Sequence, residues 1–182
     1  MSKSLSNHFH GTTGERRFLA SQGQTEGDII NERVQGLDLR EHPVKYQSSL
    51  SKRKIKEKIK NRTASRADYK KFDSMNRLAQ RRKEGVKDFW KQERRRIKKG
   101  ERTTRNWTAE QRNAILHNNI PKVNGKSMQG HHSYSVSKYP HLANKGEAIF
   151  PVTFAEHLYD WHGGNFRNSL PGKPFTRKRK GA

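Results

Sequence analysis

Between residues 51 and 105 the chain contains no proline, and its apolar residues return at the spacing of a helix. Tyr69, Phe72, Met75 and Leu78 form one run, and Val86, Phe89, Trp90 and Ile97 form another. The pattern predicts amphipathic helices over about 66–83 and 86–99, with a shorter one near 52–60. Gly85 is expected to separate the two runs and Gly100 to end the second. The same stretch holds 23 basic and 7 acidic residues, so it carries +16 of the chain's formal charge of +23. Apolar residues make up only 29% of the 182, which argues against a single large core. A small packed unit and a thinner, more polar helical region are expected instead.

A net charge of +23 attracts polyanions and speeds their encounter. Each phosphate neutralised by Lys or Arg also releases condensed counterions. Nucleic acid is therefore the expected partner, with Arg94, Arg95 and Arg96 as candidate phosphate contacts in the basic helices. The plainer reading of those helices is a solvated scaffold. An anionic membrane surface is the main competitor, but no segment approaches the ~20 apolar residues that cross a bilayer, and no membrane partner is expected. The absence of cysteine excludes disulfides and Cys-ligated zinc. The N-terminal string MSKSLSNHFHGTTGERR has no apolar h-region and does not read as a secretory signal.

The chain divides into three zones. Residues 1–50 are polar and partly irregular, with a short helix expected over 27–34 and a break at His42-Pro43. Residues 51–105 are the basic helical region. In residues 106–182 the character changes. Thr108-Ala109-Glu110-Gln111 has the form of a capping box and should start a helix reaching to about Asn118, before Pro121. Asn124-Gly125 signals a two-residue turn. An extended segment should then carry Gly130-His131-His132. The apolar run over 148–153 reads as a second strand, Thr153 as the cap of a helix over 154–161, and Gly163-Gly164 as its end.

Six of the nine histidines follow residue 116. Phosphodiester hydrolysis needs a base to activate water and a cation to hold developing charge. Neutral imidazole can serve as the base or as a ligand of the cation. In an adjacent pair on a strand, successive side chains point in opposite directions, so one ring of His131–His132 can face a metal while the other faces water. His157 and His162 lie on or at the end of the last expected helix. At 100° per residue a spacing of five leaves them about 140° apart, so sharing one metal requires the last turn to unwind at Gly163-Gly164. His117 and His141 read as surface or structural groups, and Trp161 as core. Asn165 and Arg167 follow the glycine pair and are candidate phosphate contacts.

The string GHHSYSVSKYPHLANKGEAIFPVTFAEHLYDWHGGNFRNSLPGKP resembles the GHH-signature nuclease toxins of the HNH/endonuclease VII superfamily, C-terminal warheads of bacterial polymorphic toxins. HFHGTTGERRFLASQGQ and KDFWKQERRRIKKGERTTRNWT are similar to the region leading into such warheads in Bacillus-type toxins with an LXG export domain. The resemblance implies an α+β fold, a small ββα-metal (HNH) nuclease core preceded by a basic, mainly helical region. It also implies one divalent metal ion (Mg, Mn, Ni or Zn). His131 is then the first metal ligand, His132 the general base, His157 the helix ligand, and His162 a further ligand or phosphate contact. The middle Asn of the HNH pattern would fall at Ala148, leaving Asn144 or Glu147 to hold the loop before the second strand.

The expected activity is a metal-dependent endonuclease acting as an interbacterial toxin. DNA is favoured over RNA, because a metal-dependent HNH site needs no 2′-OH. A cognate acidic immunity protein is the expected partner. The toxin is expected to leave its cell by a leaderless route as part of a larger protein and to act in the target-cell cytoplasm. The alternatives are a phage-type homing or packaging HNH nuclease, and a non-catalytic basic RNA- or ribosome-binding protein.

Overall fold

The computed structural model describes residues 24–43 and 49–175. The string HFHGTTGERRFLASQGQ therefore lies almost wholly outside the described residues. Among the described residues four α-helices come first: α1 (Glu26–Arg33), α2 (Ser49–Lys60), α3 (Arg66–Lys98) and α4 (Ala109–Leu116). A hairpin of β1 (Lys122–Val123) and β2 (Lys126–Ser127) follows, then β3 (Gln129–His132) and β4 (Ile149–Val152), and last a π-helix (Glu156–Trp161). The mixture of helices with small antiparallel sheets is α+β, as the sequence implies.

Local chemistry sets most of the boundaries. Thr25, Ser65 and Thr108 each close a capping box with the residue three positions on, starting α1, α3 and α4. Asn124 and Gly125 both take positive φ, 49° and 74°, and join β1 to β2 as the dipeptide suggests. The α4 helix stops two residues earlier than expected, because Asn118 enters the left-handed region at φ 64° ahead of Pro121.

The break expected at Gly85 is overturned. Residues 66–83 and 86–99 do not form two helices: α3 is one 33-residue helix that runs through Gly85. Glycine inside a helix costs about 1 kcal/mol relative to alanine, so local propensity points to a break. The packing gives the reason for its presence. A Cβ at Gly85 would lie 2.3 Å from the carbonyl oxygen of Ala143. Gly85 is the point where the connection between β3 and β4 crosses the helix, backbone against backbone. Gly130 works similarly from the strand side, where a Cβ would meet both methyls of Val86 at 2.9 Å.

The β3–β4 pair is antiparallel, with His131 opposite Phe150 and His132 opposite Ile149. Its apolar face packs Phe150 and Val152 with Ile30 and Val34 of the α1 region, Tyr134, Tyr139, Leu142 and Trp161. A second cluster of Trp107, Ile115 and Met128 lies against Trp90 and Ile97 of α3. Arg33 joins the two parts. Its guanidinium donates to the carbonyls of Gly146 (2.9 Å) and Ile149 (3.0 Å), to Gln92 Oε1 (3.1 Å) and to Thr104 Oγ1 (3.0 Å). It also lies 4.9 Å from the centre of the Phe89 ring. Burial lowers its pKa to about 10, which leaves it charged at neutral pH. No helix among the described residues is long and apolar enough to cross a membrane.

Candidate active site

The strand β3 delivers its two histidines to opposite faces. His131 is buried and packs on Trp161, with ring centroids 4.5 Å apart. Its ring centroid is 4.9 Å from that of His157 and 5.0 Å from that of His162, which are themselves 5.0 Å apart. The three form a nearly equilateral triangle, and one ligand nitrogen from each lies within 4.8 Å of the others.

The geometry of the last helix is what lets His157 and His162 meet, and it differs from expectation. Thr153 and Glu156 cap the start reciprocally, through Thr153 N to Glu156 Oε2 (2.7 Å) and Glu156 N to Thr153 Oγ1 (3.2 Å). The chain then winds as a π-helix over Glu156–Trp161 rather than as an α-helix that unwinds at its end. An i→i+5 turn winds more slowly than an α-helix, so residues five apart lie much closer to one face and the wider winding brings the two rings together. Gly163 and Gly164, at φ 58° and 86°, close the turn after His162.

Each outer ring is oriented by a second bond. His157 Nδ1 lies 2.7 Å from Gln129 Oε1. His162 Nδ1 faces the carbonyl oxygen of Asn168. With oxygen acceptors at Nδ1, both rings carry the proton there and keep Nε2 free as the ligand nitrogen, the usual arrangement behind a metal-ligating histidine. Burial, then the neighbouring His157, His162 and His132, lower the His131 pKa to about 2. Burial, then His162, His132 and Arg82, lower that of His157 to about 4. Both are neutral at physiological pH, as ligands must be. An all-imidazole donor set with oriented nitrogens fits one divalent ion, and imidazole suits the later first-row metals better than magnesium.

His132 turns the other way. Its Nε2 is 3.0 Å from the carbonyl oxygen of Ala143, so the proton resides on Nε2 and Nδ1 is the basic nitrogen. Burial lowers its pKa to about 4; the Ala143 carbonyl opposes this and Arg82 adds to it. The Ala143 loop is held from α3: Arg81 donates to Asn144 Oδ1 and the His141 carbonyl at 3.0 Å, and Gln92 Nε2 reaches Glu147 Oε1 at 2.9 Å. Asp88 Oδ2 accepts from Gly146 N at 3.2 Å. Asn144 and Glu147 thus both take part in the bracing that Ala148 cannot supply.

The cleft has two arms meeting at Arg82, Gly130 and His132. One arm covers the three clustered histidines and includes Arg167 and Phe166. Asn165 does not line it; its Oδ1 accepts from Arg167 N at 3.0 Å and shapes the turn that carries Arg167. The other arm follows α3 and is lined by Lys83, Lys87, Lys91 and Arg94. Arg94, Arg95 and Arg96 do not share a face. Arg95 is exposed, and Arg96 lies 3.1 Å from the fully buried Glu93 carboxylate on the far side of the helix. The Lys83–Lys87–Lys91 row is hard to single out in a stretch with so many cations, although its i, i+4 spacing is readable. Gln129 is likewise not among the expected site residues; it shares a strand face with His131, two residues on, and that period is its only signal. His117 and His141 bond to the Asn113 and Asp38 carbonyls, both at 2.8 Å, away from the cluster.

A family model described as a GHH signature containing HNH/Endo VII superfamily nuclease toxin matches residues 73–153. Over that segment, somewhat under half of the chain, the sequence is similar to this nuclease toxin family. The GHH signature is Gly130-His131-His132, and the family segment also includes α3 from Asp73 to its end, the Ala143 loop and β4. It stops before His157 and His162, which join the site through the fold. No curated protein matches the chain. The similarity to the GHH family implies a nuclease with a nucleic-acid substrate.

Proposed function

We propose that this chain is a metal-dependent endonuclease that hydrolyses DNA and serves as the warhead of an interbacterial toxin. The observation that carries the reading is the division of labour on β3: His131 joins a three-imidazole cluster while His132 presents a basic Nδ1 on the other face.

His131, His157 and His162 would hold the metal. A bound divalent ion supplies Lewis-acid stabilisation of charge on the phosphate and the leaving oxygen. His132 is neutral at pH 7 and accepts the proton of the attacking water at Nδ1. The Ala143 carbonyl, already bonded to Nε2–H, then stabilises the imidazolium. Arg82, Arg167 and the lysines of α3 attract and position phosphates. Water activated in this way needs no neighbouring 2′-OH, which favours DNA as the substrate over RNA.

The toxin reading carries three corollaries. The chain reaches a target-cell cytoplasm as part of a larger toxin, in the manner of LXG toxins. Its producer holds an acidic immunity protein, since complementary charge speeds capture of a +23 surface. That protein either covers the catalytic histidines or binds next to them, and the adjacent site is favoured because it can vary without touching the catalytic residues. Expression of the chain alone should kill cells, and co-expression with the acidic partner should rescue them.

The direct experiment incubates the purified chain with plasmid DNA and with total RNA, with added Mg, Mn, Ni or Zn, and with EDTA. DNA should be nicked and then degraded, and EDTA should stop it. Degradation of RNA alone, or cleavage that ignores EDTA, would overturn the reading.

A further inference from the structure

The arm of the cleft that runs along α3 away from the clustered histidines is a cavity of about 750 Å³. Its floor is apolar, built from Ala79, Val86 and Trp90 of α3 and Ile115 and Ile120 beyond it. Its rim is cationic, with Arg82, Lys83, Lys87, Lys91 and Arg94. No carboxylate lines it, and His132 stands at its inner end. Ile120, at 42% exposure, leaves part of that apolar surface open to solvent.

A phosphodiester backbone accounts for the rim alone. Phosphate oxygens seek donors, and the aliphatic part of the floor, Ala79, Val86, Ile115 and Ile120, has none to offer, which leaves Trp90 Nε1–H as the floor's donor. A fully paired duplex keeps its base faces stacked inside and presents little apolar surface to such a floor. An unpaired nucleotide has both features, an anionic link for the rim and a planar face for Trp90 and its aliphatic neighbours.

We infer that this arm is a nucleobase subsite that receives an unpaired DNA base next to the phosphate attacked at His132. The inference rests on the nuclease reading above and extends it: the preferred substrate is single-stranded, gapped or locally opened DNA, not intact duplex. Stacking and burial of one base should raise affinity on the order of ten-fold over paired DNA of the same sequence. Lysines alone would produce no such difference, because their phosphate contacts carry no information about pairing.

The test measures binding of the full chain, in EDTA, to a 2-aminopurine-labelled single-stranded DNA, to its duplex and to an RNA strand of the same sequence. The single DNA strand should bind about ten-fold tighter than the duplex, with a change in 2-aminopurine fluorescence on binding. Ile120→Ser should remove most of that preference, and Ile120→Tyr, which restores a stacking surface, should keep it. Duplex affinity should stay unchanged in both variants. Equal binding of strand and duplex, a preference untouched by Ile120→Ser, or binding of RNA alone would overturn the inference. The assay involves no turnover, so failure of metal-dependent cleavage would sink the nuclease mechanism without deciding this result.

Discussion

A Cβ placed on Gly85 would lie 2.3 Å from the carbonyl oxygen of Ala143, the same carbonyl that fixes the imidazole of His132. The helix thus sets the position of His132, the proposed general base, through a backbone contact. Gly85→Ala should invert the usual sign of a helix substitution. Alanine would ordinarily add about 1 kcal/mol of stability here. Instead the loop must shift, lowering the melting temperature and reducing cleavage by about ten-fold or more. A variant at least as stable and as active as the parent would show that the close approach is dispensable.

His132→Ala should leave folding and metal binding close to normal while cleavage falls by roughly two to four orders of magnitude, the range for loss of a general base. Supercoiled-plasmid nicking beside calorimetric metal titration separates the two effects. Near-normal nicking would mean that another group activates the water.

Loss of a ligand should act differently. His131→Ala and His157→Ala should each abolish most of the metal affinity and the activity with it, because a three-imidazole site does not tolerate the loss of one ring well. His162→Ala should do the same here, since the π-helix places it as an equal member of the triangle. Gln129→Leu removes only the oxygen that orients His157 and should weaken metal binding by about 10–100-fold. Unchanged calorimetric binding in the His157 variant would remove that residue from the site.

The basic residues of α3 should divide by face. Replacing Lys87, Lys91 and Arg94 by alanine should weaken binding to DNA of any sequence. The slope of log affinity against log salt should also flatten, by roughly 0.9 for each phosphate left without its cation. Arg96→Ala should have little effect on binding but destabilise the fold by roughly 1–3 kcal/mol, because it removes a charged donor from the buried Glu93. Filter binding across a salt series, read beside chemical denaturation, distinguishes the classes. Equal loss of DNA binding in both variants would refute the division.

What can be read from the sequence is the chemistry that is local along the chain. The capping boxes at Thr25, Ser65 and Thr108 act over three residues, and the Asn124-Gly125 turn over two, so the letters contain their causes. The alternation of a strand is enough to separate His131 from His132. The continuity of α3 is not readable, because Gly85 answers to Ala143, a residue far along the chain. The π-winding is equally hidden, since a 3.6-residue period separates His157 from His162. The holding of the Ala143 loop by Arg33, Arg81, Asp88 and Gln92 is carried by partners on distant helices, and no single window contains both ends of those bonds.

Arg33 gives the nuclease an outline larger than its signature. It precedes the family segment by all of α2 and the start of α3, yet its guanidinium occupies the carbonyls of Gly146 and Ile149 at the end of the loop that serves His132. A hybrid gene that kept residues 73–153 and replaced what comes before would leave those carbonyls without their cation and the core without Ile30 and Val34. A breakpoint upstream of Thr25 preserves that support, so the unit that can be transplanted intact begins well before the stretch whose letters advertise it.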